Sequence, residues 1–490
     1  MSHIQMPAPN QAILAQKEAI IAALCSALGH EKVIHHHKEI LAYECDALTS
    51  YRCPPLAVIL CDDSEDIAKA MKICCAYKLP IIPRGTGTSL AGGVLPTEDS
   101  VVISTARLTK VLEIDVESRF IRVETGITNI KVTEAVRDFG FFYAPDPSSQ
   151  LACAIAGNIA MNSGGAHCLK YGVTTNNLLG VKMVTYEGEV LEIEGNATDG
   201  AGFDLLALIC GSEGQLGIVT EARLKILPLP EGARPILIGY DNAETAGQCV
   251  ANIIQAGFLP VAIEYMDRLS IQEIENFAHA GYPLCEALLI IEVEGSDDEI
   301  DFQLEKIKAI AAALNPVEMR VSQSEIESQL IWKGRKSAFG ALGQLNDYIC
   351  LDGTVPVSAL PKALKEIGAL SQKYQLQVAN VFHAGDGNMH PLILYNANDP
   401  DEQERAENLG ADILRACVDM GGCLSGEHGV GVEKRELMTT QFSAEDLEMQ
   451  MQVKDVFDPH WLLNPAKVFP LHMSEKRRLA FTTQQGEERI

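Results

Sequence analysis

Closely spaced glycines directly after a predicted strand are the feature that most limits how the first half of this chain can fold. Residues 83–89 read Pro-Arg-Gly-Thr-Gly-Thr-Ser and follow a predicted strand at residues 79–82. Glycines let a backbone turn its N–H groups inward, which suits phosphate oxygens. The loop fits neither the G-x-G-x-x-G dinucleotide pattern, because Leu90 takes the third glycine position, nor a P-loop, because no G-K-[ST] follows. On its own, an ordinary glycine turn explains it more readily.

Two further segments of small residues follow downstream. The second is poor in bulky side chains and includes Pro145, Asp146, Pro147, Gly157, Asn158, Ser163, Gly164 and Gly165. Such a segment lets the backbone approach a ligand closely, as a pyrophosphate and a flat ring would require. The third, at residues 211–220, is a glycine turn that enters a strand at Ile218, and a plain β-turn explains it equally well. Two such loops in one domain predict a long ligand.

Prolines divide the chain into two parts with alternating helix and strand patterns. The first part begins with a helix at residues 63–77, capped by Ser64, and ends at Pro228 and Pro230, which cannot donate to a strand ladder. In the second part, strand and helix patterns alternate up to a long helix at residues 401–420. We therefore predict an α+β chain with a helical segment (1–53), a first domain (54–230), a second domain (231–470) and a loosely held polar tail (471–490).

The charge balance and the cysteines limit the partners and the compartment. The chain has 39 basic and 66 acidic residues, a net charge of -27, which repels nucleic acid and anionic lipid. No apolar run approaches the ~18 residues that a membrane span needs. The polar N-terminus lacks an export signal, and the 14 cysteines form no C-x-x-C pair. We expect a cytoplasmic protein without an iron–sulfur or structural zinc signature.

The second part of the chain contains histidines and a glutamate between glycine turns. The sequence His-Ala-Gly-Asp-Gly-Asn-Met-His runs from His383 to His390, a strand and tight turn that can bring the two rings together. Further on, Glu427 and His428 stand side by side between glycines. Two imidazoles and a carboxylate, with no cysteine nearby, suit Zn²⁺ or Mn²⁺ with a position left open for substrate. Asp386 could be a ligand instead, but an aspartate in such a turn usually bonds its own backbone.

Taken together, these segments resemble the FAD-linked oxidases of the vanillyl-alcohol oxidase and p-cresol methylhydroxylase class, from about residue 54 to about residue 470. Within that class they are most similar to the 2-hydroxyacid dehydrogenases for glycolate and D-lactate. Those enzymes carry H-x-G-D-G-N-x-H, a later G-E-H-G and a closing N-P-x-K. The resemblance implies an α+β fold with a two-subdomain FAD-binding domain, followed by an α+β substrate, or cap, domain with an antiparallel sheet.

The resemblance also implies a role for each matching residue. FAD would be bound by Arg84, Gly85, Thr86, Gly87, Thr88, Ser89, Pro145, Asp146, Pro147, Gly157, Asn158, Ser163, Gly164, Gly165, Ile218 and Asn464. His383, His390 and Glu427 would bind the divalent metal, Zn²⁺ or Mn²⁺, and His428 would be the catalytic base. Arg335 would grip the substrate carboxylate, which its planar fork suits. His167 falls after the glycine pair, so we expect a flavin that is not covalently attached.

Cys350 is an informative departure from part of that class. The dicarboxylate-specific hydroxyglutarate enzymes carry a lysine two residues before the aspartate that corresponds to Asp352, where it helps to hold the distal carboxylate. Without that cation a second carboxylate would be buried unpaired, at a cost of several kcal/mol. We therefore expect a small 2-hydroxy acid, glycolate or D-lactate, to be oxidised to the 2-oxo acid by hydride transfer to flavin N5.

Other interpretations remain open at this point. They are a D-2-hydroxyglutarate-type dehydrogenase, a metallohydrolase with no use for the glycine loops, a flavin-holding subunit without activity, and an ether-forming synthase with a lipid-like substrate. The resemblance further implies separate iron–sulfur and flavin partner subunits for electron transfer, and a homodimer is compatible with it.

Overall fold

A computed structural model describes residues 4–194 and 202–483. Its strands are β1 (Val33–Ile34), β2 (Ala57–Leu60), β3 (Ile81–Arg84), β4 (Val101–Ser104), β5 (Val111–Asp115), β6 (Phe120–Glu124), β7 (Phe141–Phe142), β8 (Leu178–Val184), β9 (Val190–Glu194), β10 (Ile218–Lys225), β11 (Leu227–Pro228), β12 (Gly232–Tyr240), β13 (Ala262–Asp267), β14 (Ala287–Gly295), β15 (Glu318–Val321), β16 (Asp347–Cys350), β17 (Gly353–Thr354), β18 (Val378–His383), β19 (Asn388–Met389) and β20 (Pro391–Tyr395). Its α-helices are α1 (Gln11–Leu14), α2 (Lys17–Leu28), α3 (His37–Ile40), α4 (Ser64–Tyr77), α5 (Asn129–Arg137), α6 (Ile155–Met161), α7 (Cys168–Tyr171), α8 (Leu205–Ile209), α9 (Ala243–Gln255), α10 (Arg268–Ala278), α11 (Asp297–Ala312), α12 (Glu325–Leu342), α13 (Leu360–Tyr374), α14 (Pro400–Asp419), α15 (Met438–Gln441), α16 (Ala444–Phe457) and α17 (Leu471–Thr483).

The chain forms two compact units. The terminal unit combines residues 4–163, 173–194, 202–228 and 427–483, and the middle unit combines residues 164–172 and 229–426. Each unit has sheets of its own and a hydrophobic core of its own.

The terminal unit begins with a four-stranded sheet in the order β1-β2-β4-β3. Strands β2, β4 and β3 are parallel, and β4 is buried along its whole length, as expected for a strand covered on both faces. Helix α4 packs against this sheet through Ile67, Met71 and Cys74. The predicted cap at Ser64 is wrong. Asp63 is the N-cap and accepts a hydrogen bond from the Asp66 N–H, because Ser64 already lies inside the helix.

A second, antiparallel sheet of the terminal unit has the order β5-β6-β10-β8-β9. Along β10, buried and half-buried residues alternate, which is the period of a strand with one face on the core. Helices α5 and α6 contribute Val132, Val136 and Ile159 to that core.

The C-terminal segment completes the terminal unit. Leu463 forms a parallel bridge with Ile81 at the edge of β3. Lys454 on α16 is buried, and its ammonium donates to the carbonyls of Gln215 (3.0 Å) and Leu463 (2.9 Å) and to the Asp458 carboxylate (2.9 Å). Helix α17 forms the first part of the segment predicted as a tail, and Arg477 in it donates to Asp455 at 2.6 Å. Residues 484–490 of that segment lie outside the described residues.

The middle unit contains one large, mainly antiparallel sheet. Its central path is β15-β12-β14-β13-β18-β19-β17, and β20 joins β18 to β16. Strand β14 is apolar and buried from Ala287 to Ile291. Three polar residues, Glu264, Glu292 and His383, lie on one face of this sheet. Glu264 pairs with His383, and Glu292 pairs with Ala262, which is two residues before Glu264 and therefore on the same face. Helix α12 covers this face.

The observed architecture confirms the predicted α+β class with an antiparallel sheet in the second part. None of the helices in residues 4–194 and 202–483 is long and apolar enough to cross a membrane.

Candidate functional site

The first glycine loop presents backbone donors that the protein itself does not use. Within the described chain, the backbone N–H groups of residues 85–90 donate no hydrogen bond to another residue. Thr86 is exposed and Thr88 is half-buried. The φ of Gly87 is +77°, which a side chain rarely adopts. A row of unused N–H groups is suited to an anion such as a pyrophosphate.

Arg84, at the start of this loop, has a supporting role in the fold. Its guanidinium donates to the carbonyl of Cys45 (2.9 Å) and lies over the ring of Tyr43, 5.5 Å from the centroid. Burial lowers the pKa of Arg84, although the carboxylate of Asp46 opposes that effect. A Cβ at Gly87 would collide with this guanidinium. The backbone of the loop, with its hydroxyls, is therefore better placed for a ligand than the Arg84 side chain.

The second loop lies against the first. A Cβ at Gly85 would lie 3.7 Å from the backbone nitrogen of Gly157, whereas a Cβ at Gly157 would meet no heavy atom within 4 Å. Asn158 is turned into the protein, where its Oδ1 accepts from Asn129 Nδ2 at 3.1 Å, and the same nitrogen donates to the carbonyl of Pro145 at 3.0 Å. Gly157 thus faces open space, while Asn129 connects Asn158 to the segment that contains Pro145.

Other predicted flavin residues are distributed differently. Asp146 is half-buried and Pro147 is buried in the terminal unit, and Ser163 ends the part of the second loop that belongs to it. Gly164 and Gly165 belong to the middle unit. The side chain of Ile218 packs in the core of the terminal unit, and the hydroxyl of Ser89 accepts from the N–H groups of Ala91 and Gly93.

Asn464, in the N-P-x-K motif, carries a buried acceptor without a donor. Its Nδ2 donates to the carbonyls of Gly93 (2.8 Å) and Glu213 (2.7 Å), which fixes the orientation of the amide. Its Oδ1 is buried and has no hydrogen-bond partner among the described residues. Buried polar atoms are rarely left unsatisfied, so such an atom indicates a ligand donor. The unused N–H groups, the open face of Gly157 and this oxygen all fit FAD.

Raising the pH from about 7 to about 10 is expected to stabilise the flavin-free wild type relative to Lys467→Met. Lys467 is buried, donates to the carbonyl of Leu95 at 2.6 Å, and has a pKa lowered by burial from 10.5 to about 7. Between pH 7 and pH 10.5, Lys467 is protonated to a larger extent in the unfolded chain than in the folded one. The free energy of unfolding therefore rises with pH in this range. Urea unfolding across that pH range measures the difference. A constant difference between the two proteins would contradict the prediction.

A buried glutamate fixes the loop that follows Glu427 and His428 in the terminal unit. The carboxylate of Glu213 accepts from the N–H groups of Val430 (2.6 Å) and Gly431 (2.8 Å). Burial raises the pKa of Glu213, and these two hydrogen bonds oppose the increase. Glu213 is not among the residues predicted for the site, although an acid inside a glycine turn is a signal that the sequence shows. The result is a loop whose backbone is held directly after His428.

The histidine turn of the middle unit brings two predicted ligands together. Strand β18 ends at His383, β19 begins at Asn388, and the Asn388 N–H donates to Asp386 Oδ1 at 3.1 Å, as predicted for this aspartate. The rings of His383 and His390 are buried, with centroids 5.2 Å apart and planes at 88°.

Each of these histidines has its Nδ1 against an acceptor. His383 Nδ1 lies 2.7 Å from Glu264 Oε1, and His390 Nδ1 lies 3.1 Å from the carbonyl of Leu351. Both acceptors require a proton on Nδ1, and in the neutral form of each ring this leaves Nε2 as the metal-binding nitrogen. Metal-binding histidines usually donate their second nitrogen to a carboxylate or carbonyl in this way. The residues therefore fit a divalent cation.

Two further candidate ligands lie near His390. A carboxylate oxygen of Asp352 and the Sγ of Cys350 each lie within 4.8 Å of a ring nitrogen of His390. Asp352 is fully buried and accepts from Ser425 Oγ (2.5 Å) and the Gly426 N–H (3.1 Å). The expectation that no cysteine lies nearby is therefore wrong, because β16 places Cys350 beside β20. Among the described side chains, His383 does not belong to any group of three or more candidate ligands whose atoms all lie within 4.8 Å of one another.

Arg335 is buried on α12 rather than on a polar helix face. Its Nε and Nη2 both lie 2.7 Å from Glu264 Oε2. Burial acts to raise the pKa of Glu264, but the charges of Arg335 and His383 outweigh it and hold that pKa below its ordinary value. Neither Nη1 nor Nη2 of Arg335 makes a hydrogen bond with the described part of the chain, although Nη2 is within ion-pair distance of Glu264. Glu264 was not recognised in the sequence analysis.

A second buried glutamate holds Trp332, one turn before Arg335. Glu292 Oε1 accepts from Trp332 Nε1 at 2.6 Å, and Glu292 Oε2 lies 3.2 Å from His167 Nε2. The rings of His167 and Trp332 lie 5.4 Å apart. His167 is thus engaged within the middle unit, and its non-covalent relation to a flavin stays a prediction.

Comparisons with known proteins agree with these features. A family model for the FAD binding domain matches residues 55–194, and one for the C-terminal domain of FAD linked oxidases matches residues 229–468. Glycolate oxidase subunit GlcD of Escherichia coli (strain K12) is 46% identical over 93% of this chain and 91% of that protein. A probable mitochondrial D-lactate dehydrogenase of Danio rerio is 30% identical over 86% of each protein. The crystal structure of p-cresol methylhydroxylase with substrate bound is 16% identical, with a TM-score of 0.78 over 95% of this chain and 98% of that one. The chain therefore belongs to the FAD-linked oxidases.

Proposed function

We propose that this FAD-linked oxidase oxidises a small 2-hydroxy acid, glycolate or D-lactate, to the corresponding 2-oxo acid. The observation that carries the proposal is the 46% identity to a glycolate oxidase subunit over 93% of the chain. A D-lactate dehydrogenase of Anaerostipes hadrus at 28% identity supports the same class of substrate. When bound, FAD supplies the two-electron acceptor for the hydride that leaves the substrate carbon.

In this proposal Arg335 binds the substrate carboxylate. Its Nε donates to Glu264 Oε2 and its Nη2 forms an ion pair with the same oxygen, so the hydrogen-bond donors of Nη1 and Nη2 remain for a ligand. A guanidinium held by a carboxylate on one side has its other side fixed in direction, so little entropy is lost when the substrate binds. The substrate hydroxyl and its carbon are then held in one orientation, which supplies part of the rate.

His428 is proposed as the base that takes the hydroxyl proton. Glu213 anchors Val430 and Gly431 immediately after it, and Lys434 Nζ donates to the carbonyl of Gly429 at 3.0 Å. A base on a fixed loop keeps its distance to the proton short, which general base catalysis requires.

The proposed cation, Zn²⁺ or Mn²⁺, would be held by His383, His390 and Glu427. It would lower the pKa of the substrate hydroxyl, which makes proton removal by His428 easier. The tautomers set by Glu264 and Leu351 support the two histidines as ligands. Glu427 directly follows Gly426, whose N–H is held by Asp352. Asp352 itself is a second candidate for the carboxylate ligand.

Cys350 supports a monocarboxylate substrate. Its side chain is buried, and a thiol offers no positive charge to a second carboxylate. The two matching FAD-oxidase models favour the flavin enzyme over the metallohydrolase interpretation, which nothing in the comparisons supports.

Anaerobic mixing of the purified yellow protein with single 2-hydroxy acids tests the proposal. Glycolate or D-lactate is expected to bleach the flavin absorbance, and D-2-hydroxyglutarate is expected to bleach it far more slowly. A flavin that no 2-hydroxy acid bleaches would instead identify a flavin-holding subunit without this activity. A protein that binds no flavin after reconstitution would contradict the whole proposal.

Gly157→Leu is expected to weaken FAD binding about 10- to 100-fold, which corresponds to an overpacking cost of about 1–3 kcal/mol. A Cβ at Gly157 has no heavy atom within 4 Å, so we expect the fold to tolerate a side chain there, but this side chain would enter the space proposed for the flavin. FAD titration of the flavin-free protein measures the change. Gly368→Leu, at another helical glycine with open space, is the matched control. Equal affinities in the two variants would contradict the placement.

Partners and compartment are also part of the proposal. We infer that electrons pass to separate iron–sulfur and flavin subunits, or that the chain acts as a homodimer with a diffusible acceptor. All 14 cysteines are free thiols, which supports a reducing, cytoplasmic compartment.

A further inference from the structure

We propose that Glu264 is a positioning residue that orients both His383 and Arg335 for the reaction. The inference deepens the proposed function and rests on it. Glu264 lies on β13, directly opposite His383 on β18, and its carboxylate also reaches Arg335 on α12.

The two oxygens of Glu264 have separate tasks. Oε1 accepts from His383 Nδ1 and Oε2 accepts from Arg335, each at 2.7 Å. The first contact fixes the tautomer and the ring orientation of His383. The second holds one side of the guanidinium and leaves Nη1 free to bind a carboxylate. One buried side chain therefore sets the distance and direction of two groups that come from different elements of the fold.

Stability alone does not explain a carboxylate at this position. Glu264 is completely buried, and its neighbours on the same sheet face, such as Ile290, belong to the apolar core. Buried ion pairs can often be replaced by well-packed apolar residues without loss of stability. A fully buried glutamate between two candidate site residues therefore indicates a role in arranging them.

Glu292 provides an internal comparison. It is also buried, lies on the same face of the sheet, and bonds α12 through Trp332. It contacts His167 but neither His383 nor Arg335. A purely structural role for such glutamates predicts the same consequences at both positions, whereas the positioning role predicts a change only at Glu264.

Metal affinity of the flavin-loaded protein without substrate tests the contact with His383. Zn²⁺ and Mn²⁺ are titrated against a chromophoric chelator with three variants: Arg335→Met, Glu264→Leu combined with Arg335→Met, and Glu292→Leu. The double variant removes both charges together, so no buried charge is left unpaired. Its metal affinity is expected to be about 10- to 100-fold below that of Arg335→Met, as for the loss of other partners of metal-binding histidines. Glu292→Leu is expected to bind metal as the wild type does.

Steady-state kinetics tests the contact with Arg335. Glu264→Gln retains the size of the side chain, but its amide has one accepting oxygen and one donating nitrogen. It therefore cannot accept from His383 and Arg335 through two separate oxygens. The KM for the 2-hydroxy acid is expected to rise by a larger factor than kcat falls. Flavin content and thermal unfolding are measured on every variant.

The possible outcomes distinguish a failure of the proposed role of Glu264 from a failure of the proposed metal site. Equal metal affinities in Arg335→Met and the double variant would overturn the role of Glu264 while leaving the metal proposal intact. An equal loss in Glu292→Leu would also overturn it, because the effect would then be general. A wild type that binds neither ion would overturn the proposed metal site and this inference together.

Discussion

His428→Ala is expected to lower kcat by about 10²- to 10⁴-fold, the usual contribution of a general base, while the protein keeps its flavin. The loss follows because no other residue of the motif at residues 426–431 carries an imidazole. The retention of flavin follows because the unused N–H groups of residues 85–90 and the amide of Asn464 do not depend on His428. Stopped-flow reduction gives the rate, and absorbance of the purified protein gives the flavin content.

The pH dependence of the remaining activity adds a second test of His428. Loss of the base should remove the acidic limb of the pH profile of kcat/KM, since that limb reports protonation of the essential base. His472→Ala, at an exposed position on α17, is the control and should behave as the wild type does. If His428→Ala loses flavin and activity in the same proportion, the residue is not the base.

His390→Ala is expected to release the divalent cation and to lower kcat by about 10³-fold, corresponding to several kcal/mol of lost charge stabilisation. His390 is buried, and its Nδ1 is fixed by the carbonyl of Leu351, so Nε2 is its metal-binding atom in this proposal. Metal analysis of the purified variant, together with its flavin spectrum, measures the result. The protein should remain yellow, because the proposed flavin residues near Gly85 and Asn464 are unchanged.

A second histidine of the middle unit serves as the control for His390. His279 ends α10 in the left-handed region, with a φ of +50°, so His279→Asn is the substitution that the backbone tolerates best. It should leave metal content and kcat unchanged. A His390→Ala protein that retains its metal would show that the ligand assignment is wrong.

The motifs in the sequence predicted the local geometry well where all partners are close in the chain. The turn between His383 and His390 follows from two glycines and an aspartate within a few residues, and its Asx hydrogen bond could be anticipated. The same holds for α4, which is observed at Ser64–Tyr77 where a helix is predicted at residues 63–77. In each case local backbone preference and burial require the same conformation.

The partners of the site residues could not be predicted, because they are distant in sequence. Glu264 is 71 residues from Arg335 and 119 residues from His383, and Glu213 is 217 residues from Val430. Each glutamate looks like an ordinary acid in or beside a strand until the sheet register is known. The proximity of Cys350 to His390 could not be predicted for the same reason, since it depends on the pairing of β16 with β20.

The return of residues 427–483 to the terminal unit has a consequence for synthesis on the ribosome. The middle unit is complete once residue 426 has emerged, but the first sheet still lacks the bridge from Leu463 and the ammonium of Lys454. Nascent chains that end before these residues would expose the edge of β3, a place where another chain can pair. The first sheet is therefore completed only after residue 463 has emerged, and a product that terminates before this residue should be prone to aggregation.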